Sequence, residues 1–231
     1  MRVNKTYILF IVSFLFFSNF LLAHNEAEEW QTILKEINNF LQGENLFLTI
    51  EYSQIKQKGE DFEKIDECKF IKQKDLKVII FSDYEIFTNQ SIYIKADHKN
   101  QLLYIFKSTD NSKKGDDILG DLVLSDLSHY DLTYDSIKSQ LKSGILSLKG
   151  KGNYRELILV FNPKDKSLER YTIYYNNNVS LNLYALEIRL TKIKNEEYKN
   201  QYLSHEKYIK FNKKNYKLNP IYEKYELIRN F

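Results

Sequence analysis

Residues 69–106 read KFIKQKDLKVIIFSDYEIFTNQSIYIKADHKNQLLYIF, and this stretch decides the fold. Five short apolar segments follow one another in it: Lys69–Gln73, Leu76–Phe81, Tyr84–Thr88, Ser91–Ala96 and Gln101–Phe106. Lys74-Asp75, Ser82-Asp83 and Asn89-Gln90 separate the first four, and Asp97-His98-Lys99-Asn100 separates the last two. A two-residue polar gap admits only a tight hairpin turn, so the stretch predicts strands joined as an antiparallel meander.

On the N-terminal side, Leu46-Phe47-Leu48-Thr49-Ile50-Glu51-Tyr52-Ser53 alternates and reads as one more strand. Leu46, Leu48, Ile50 and Tyr52 fall on one face of it, and Thr49, Glu51 and Ser53 on the other. The charged residues 55–67, with Gly59 among them, read as a loop or frayed hairpin. Before the strand, Trp30, Ile33, Leu34, Ile37, Phe40 and Leu41 recur at steps of three and four. They form the stripe of an amphipathic helix from Glu26 to Leu41, which Gly43 ends. That stripe requires an apolar surface to pack on.

On the C-terminal side, the polar residues 108–117 predict a mobile loop. From Asp116 to Gly144 the period changes, and Ile118, Leu119, Leu122, Val123, Leu127, Ile137 and Leu141 suggest one or two short helices. Strands follow at Ile145–Lys149, Arg155–Phe161 and Leu168–Tyr175, with Asn162-Pro163-Lys164-Asp165 turning between the last two. A further strand, Leu181–Lys192, alternates Tyr184, Leu186, Ile188 and Leu190 against Glu187 and Arg189. From Lys194 the chain is charged and Tyr-rich (Tyr198, Tyr202, Tyr208, Tyr216, Tyr222, Tyr225), an extension expected to lie on the domain surface. No repeat and no linker divides it.

The first residues have the plan of a secretory signal peptide. Arg2 and Lys5 precede an uncharged run from Tyr7 to Ala23, after which come the polar His24-Asn25-Glu26. Ser13, Ser18 and Asn19 interrupt the run, which is short of the roughly 20 apolar residues of a membrane span. Removing residues 1–23 takes away Arg2 and Lys5 and no acid, so the formal charge falls from +3 to +1. A nearly neutral mature chain lacks the basic excess of a nucleic-acid binder. The lone Cys68 cannot form an internal disulfide and is read as a small buried hydrophobe. About 200 residues suffice to build one core without bridges.

These elements define an α+β chain: an N-terminal helix and a curved antiparallel sheet, an unclosed half-barrel, with a helical insertion covering the concave face. The expected organisation is a signal peptide over 1–23, a half-barrel domain over 24–193 and a Tyr-rich extension over 194–231, packed on the domain.

The order of elements resembles the LolA family of periplasmic lipoprotein carriers across residues 26–193. Leu46-Phe47-Leu48-Thr49-Ile50-Glu51-Tyr52-Ser53-Gln54 follows the helix as the family's first strand does, and residues 70–78 resemble its next hairpin. Asn89-Gln90-Ser91-Ile92-Tyr93-Ile94-Lys95-Ala96-Asp97 is similar to a later strand and turn. Leu157–Phe161 with Leu168–Tyr171 is similar to the late hairpin. The resemblance implies a periplasmic carrier that takes acyl chains into the half-barrel, closed with the help of an arginine on an early strand. Here the equivalent strand offers only Lys69 and Lys72, and a lysine cannot reproduce a guanidinium's fork of hydrogen bonds. With the long tail, this points to a relative with another cargo or partner.

No catalytic or metal signature accompanies the fold. Of His24, His98, His129 and His205, no two stand at the i, i+4 spacing of a helical metal site, and surface positions are expected for all four. Asp116, Asp117, Asp121, Asp126, Asp131 and Asp135 lack the spacing of a calcium loop, and read as solvated faces and helix caps. Neither a G-x-S-x-G elbow nor a phosphate loop is present. The expected protein is therefore non-enzymatic and without cofactor or metal.

What remains is an excess of apolar and aromatic residues. Leu48, Ile50, Tyr52, Ile92, Ile94, Leu102, Tyr104, Leu159, Phe161, Tyr171 and Ile173 are the candidates to share the concave face. They make either ordinary core beneath the helices or an apolar cavity for a lipid or a lipidated polypeptide. The rival reading is an adaptor in an envelope or secretion assembly that docks a protein partner through the outer sheet face and tail. The adaptor predicts an exposed aromatic stripe around residues 198–231. An exported hydrolase is a third class, with no residue pattern in its favour.

Overall fold

Residues Asn45–Ile55 (β1) run down the middle of the molecule, paired on one side with Glu63–Gln73 (β2) and on the other with Ala185–Lys192 (β11). The computed structural model describes residues 29–108, 133–139, 143–151, 154–176, 183–193, 204–212 and 215–230. The expected signal peptide, His24 and His129, the acids between Asp116 and Asp131, and Tyr198 and Tyr202 lie outside them.

The meander forms as its two-residue gaps dictate. After β2 come Leu76–Ile80 (β3), Tyr84–Thr88 (β4), Ile92–Asp97 (β5) and Leu102–Lys107 (β6), each antiparallel to the one before. Lys74, at the first turn, takes the left-handed conformation with φ of 53° that such a tight reversal requires. The second run of neighbours is Thr133–Ser139 (β7), Gly144–Lys149 (β8), Tyr154–Phe161 (β9) and Leu168–Tyr175 (β10), which returns to β11. With Glu226–Asn230 (β14) at one edge, one curved, unclosed 12-stranded sheet results, in the order β14-β6-β5-β4-β3-β2-β1-β11-β10-β9-β8-β7.

Residues 29–42 form the helix α1, which lies on the concave side. Ile33, Leu34, Ile37 and Leu41 are buried there against the sheet, with Trp30 and Phe40 packed at the margin. Burying four such side chains contributes roughly 6–12 kcal/mol before ordering costs, which is why a helix of this length holds.

Two expectations are corrected. The charged stretch 55–67 is not loop throughout: β2 begins at Glu63, because β1 continues to Ile55 and supplies a backbone partner for it. Ile137 belongs to strand β7, not to a helix, since residues 133–139 pair with β8. The remainder of the expected helical insertion, at 109–132 and 140–142, lies outside the described residues.

The convex side carries a second core. Ile71, Val78, Phe87, Ile94, Leu103 and Ile105 are buried in it under Tyr208, Ile209 and Tyr222 of the C-terminal extension. That extension comprises the hairpin Ile209–Asn212 (β12) and Asn215–Leu218 (β13), a 3-10 turn at Pro220–Tyr222, and Glu226–Asn230 (β14). β14 lies parallel to β6 and becomes the edge of the main sheet.

Candidate functional site

In-register pairing lines up the concave face. Tyr52, Ile188, Tyr171, Leu159, Leu146 and Ile137 form one row across β1, β11, β10, β9, β8 and β7. A neighbouring row runs through Leu186, Ile173, Leu157 and Leu148. Across β1 the same face continues as Phe70, Ile79 and Ile86, then Lys95 and Tyr104.

Seven of the eleven candidate cavity residues belong to this concave cluster: Leu48, Ile50, Tyr52, Leu159, Phe161, Tyr171 and Ile173. Leu102 and Tyr104 share the side, since they alternate with Leu103 and Ile105 of the opposite core. Ile92 and Ile94 do not share it; both are buried in the convex core beneath the C-terminal extension. β5 is apolar on both faces, so the ring that reaches the concave side there is Tyr93.

The concave face divides in two. Where α1 lies, Leu48, Ile50, Leu159 and Phe161 are no more than 2% exposed, so the helix itself fills the hollow. Toward β3–β6, five rings stay half-buried: Tyr52, Phe81, Tyr84, Tyr104 and Phe106. They form a strip. Tyr52 stacks on Phe81 with ring centres 6.4 Å apart, and Phe81 on Tyr84 at 4.5 Å. Tyr104 stacks on Phe106 at 6.3 Å, and the Lys95 ammonium sits 5.0 Å from the centre of the Tyr84 ring.

Two polar groups sit in this apolar setting. The Tyr52 hydroxyl is buried and finds no well-formed hydrogen bond. Burial, then the neighbouring Cys68 thiol, pushes its pKa above that of an ordinary tyrosine. The same burial pushes the Cys68 thiol up to about 12, which makes it an unreactive small hydrophobe.

At the margin of the strip β2 outruns its neighbour. β3 pairs with it only between Lys69 and Gln73, while β1 pairs with it from Glu63 onward. Beyond Ile80 the chain turns through Phe81 and Ser82 into β4, and a cleft of about 540 Å³ opens between that turn and residues Lys64–Lys69. The bulge that shifts the register between Tyr52 and Ser53 leaves Ile65 unpaired with β1 and 51% exposed.

On the convex side, Glu85 organises the polar contacts beneath the extension. Its carboxylate accepts from the Tyr208 hydroxyl at 2.9 Å, is bonded by the Lys207 ammonium, and lies 3.5 Å from His98 Nε2. His98 Nδ1 is 2.8 Å from the Tyr225 hydroxyl. His98 and His205 are thus half-buried in the contact with the extension, not simply on the surface. Burial, reinforced by Glu85, pushes the pKa values of Tyr208 and Tyr222 upward. Since Tyr208 and Tyr222 are no more than 2% exposed, neither is available to an exposed aromatic stripe.

Among the described residues, no three His, Cys, Asp or Glu side chains converge as a metal site, and no helix is long and apolar enough to cross a membrane.

No protein-family model matches the sequence, and no curated protein matches it. Solved structures of similar shape include an uncharacterised conserved protein of Thermus thermophilus, with TM-score 0.44, 10% identity, and coverage of 87% of this chain and 99% of that one. A LolA superfamily protein of Nitrosomonas europaea is similar at TM-score 0.30 and 8% identity, over 75% of this chain and 98% of that one. A putative outer membrane lipoprotein-sorting protein domain of Vibrio parahaemolyticus is similar at TM-score 0.29 and 11% identity, over 76% and 97%.

Proposed function

We propose that this chain is a non-enzymatic, exported binding protein of the periplasm that holds a lipid or a lipidated polypeptide by its acyl chain. The acyl chain lies along the concave aromatic strip. The observation that carries this reading is the unequal filling of the concave face. α1 seals the part over β1 and β8–β11, whereas Tyr52, Phe81, Tyr84, Tyr104 and Phe106 keep half-exposed rings beside it. Each buried methylene contributes about 0.8 kcal/mol, so ten of them supply roughly 8 kcal/mol before binding costs, without any polar contact. The Tyr52 hydroxyl supports the same reading. Its neighbour, the Cys68 thiol, is a weak hydrogen-bond acceptor, and the ester or amide carbonyl at the head of an acyl chain is a stronger one.

The test is native mass spectrometry of the mature protein isolated from the cell envelope without detergent, followed by organic extraction. The expected result is an acyl species that is lost in the Tyr104→Arg protein and weakened in Tyr52→Phe. Position 104 is half-exposed, so the substitution tests the strip without breaking the core. Ile94→Arg cannot serve this purpose, because Ile94 lies in the convex core. A bare mass for the unsubstituted protein, with no uptake of added fatty acid, overturns the proposal. Tyr208 and Tyr222 themselves cannot dock a protein partner, since both are packed inside. Deleting residues 194–231 would uncover the convex core and so cannot separate the two readings.

A further inference from the structure

We propose that the overhang of β2 is a strand-addition site for an extended, basic polypeptide segment, next to the apolar strip and sharing with it the Phe81 ring. β2 is hydrogen-bonded to β1 along its length, yet among the described strands its other edge is covered only from Lys69 onward. Residues Glu63–Cys68 present the rest. Six residues of strand span about 20 Å and direct roughly half of their N–H and C=O groups to that side. An edge of this kind is a template for another chain, and natural sheets blunt such edges with lysine, proline or a covering loop. Neither of the first two devices dominates here: the overhang holds one lysine, Lys64, and no proline.

The space for the added strand exists. The cleft of about 540 Å³ lies where β3 would run had it continued past Ile80 instead of turning at Phe81 and Ser82. An incoming segment would take the track of β3, antiparallel to β2. Its side chains would alternate between the half-buried Phe81 ring on one face and the outward-facing carboxylates on the other. Ile65, 51% exposed at the bulge, offers an apolar contact at the far end.

Charge selects the occupant. Residues 60–67 read EDFEKIDE, five acids against Lys64, and Glu85 stands on the opposite wall. Glu85 is already engaged by Lys207 and Tyr208, Glu63 by Lys56 and Glu67 by Lys64, and Lys69 also lines the cleft, so the carboxylates left to meet an incoming cation are Glu60, Asp61 and Asp66. A segment carrying Lys or Arg at alternate positions meets this field, and an acidic one is repelled by it.

The experiment uses the full mature chain and three fluorescein-labelled ten-residue peptides. One alternates Lys with Val and Thr, the second has Glu in place of Lys, and the third is the Lys peptide with a central proline. Anisotropy titrations at low and at physiological salt are expected to show saturable binding of the Lys peptide alone. The proline peptide should bind at least about tenfold more weakly, because it loses a ladder hydrogen bond and the extended register. In the Glu63→Lys, Glu67→Lys double variant, affinity for the Lys peptide should fall roughly fivefold or more at low salt. Both side chains are exposed, at 69% and 43%, so an unchanged thermal melt is expected and reports any loss of fold. Equal binding of the Lys and proline peptides would mean charge attraction without strand pairing, and overturns the proposal. So does the absence of saturable binding at millimolar peptide, or binding that the double variant leaves unchanged. Acyl retention in native mass spectra should be the same in the variant, which keeps this test separate from that of the apolar strip.

Discussion

Replacing Tyr208 tests whether the C-terminal extension is part of the core. The ring is fully buried, with centre-to-centre distances of 5.9 Å to Phe87 and 5.4 Å to Tyr222. Its hydroxyl donates to Glu85 at 2.9 Å. Deleting a buried aromatic ring costs about 3–5 kcal/mol, and a hydrogen bond to a charged group is worth about 1.5–3 kcal/mol. Glu85 keeps Lys207 and has His98 nearby, so its carboxylate is not orphaned, and the lower end of the second range applies. The expected losses are therefore about 4 kcal/mol for Tyr208→Ala and about 1.5 kcal/mol for Tyr208→Phe. With a urea slope of about 2 kcal/mol per molar, the midpoint should fall by roughly 2 M and roughly 0.7 M. Urea titration followed by far-ultraviolet circular dichroism measures both, and limited proteolysis reports whether cleavage in the extension accelerates. If the alanine variant shifts the midpoint by less than about 0.5 M, the convex core is not what holds this side together.

Two further outcomes are expected. A Cβ on Gly144 would stand 2.3 Å from the Phe161 ring, so Gly144→Ala should destabilise by about 1–3 kcal/mol, and pairing it with Phe161→Leu should recover part of that in a double-mutant cycle; simple additivity would contradict the contact. Cys68 should react with an aromatic disulfide reagent only on unfolding. Its thiol is pushed up to about 12 in the fold from the ordinary 9, so folded and unfolded states bind the proton alike below pH 9, and the stability it contributes is lost between about pH 9 and 12. The buried tyrosines add loss in the same direction above about pH 10, and Cys68→Ala should flatten the early part of the decline; an unchanged slope would refute the assignment.

The parts of this fold that were legible in the sequence are those set by local chemistry. Lys74-Asp75 and Ser82-Asp83 leave no alternative to hairpins, and the stripe from Trp30 to Leu41 has one period only. The faces of β5 were not legible. Ile92, Tyr93 and Ile94 are consecutive and all buried, because α1 and the concave rings lie on one side and the extension on the other. Period-two reasoning needs one polar face, and a doubly covered strand has none. Ile137 mimicked a helix because an edge strand such as β7 needs little apolar alternation. The extension misled for a different reason. Tyr208 and Tyr222 sit among charged neighbours in a segment that reads as surface, and only its pairing with β6, more than a hundred positions earlier, makes them core.

The pairing of β1 with β11 governs how the sheet can be assembled. The meander β1–β6 and the run β7–β11 each grow by hairpins between sequence neighbours, and such contacts form in microseconds. The junction between them, from Leu48 opposite Lys192 to Ile55 opposite Ala185, must close a loop of roughly 140 residues at its outer end. It is thus the slow step of a chain with high contact order. Until it closes, β1 and β11 are both bare edges, with Leu48, Ile50, Ile188 and Leu190 uncovered. The species most prone to aggregate during folding is therefore one in which both halves are built and have yet to zip together.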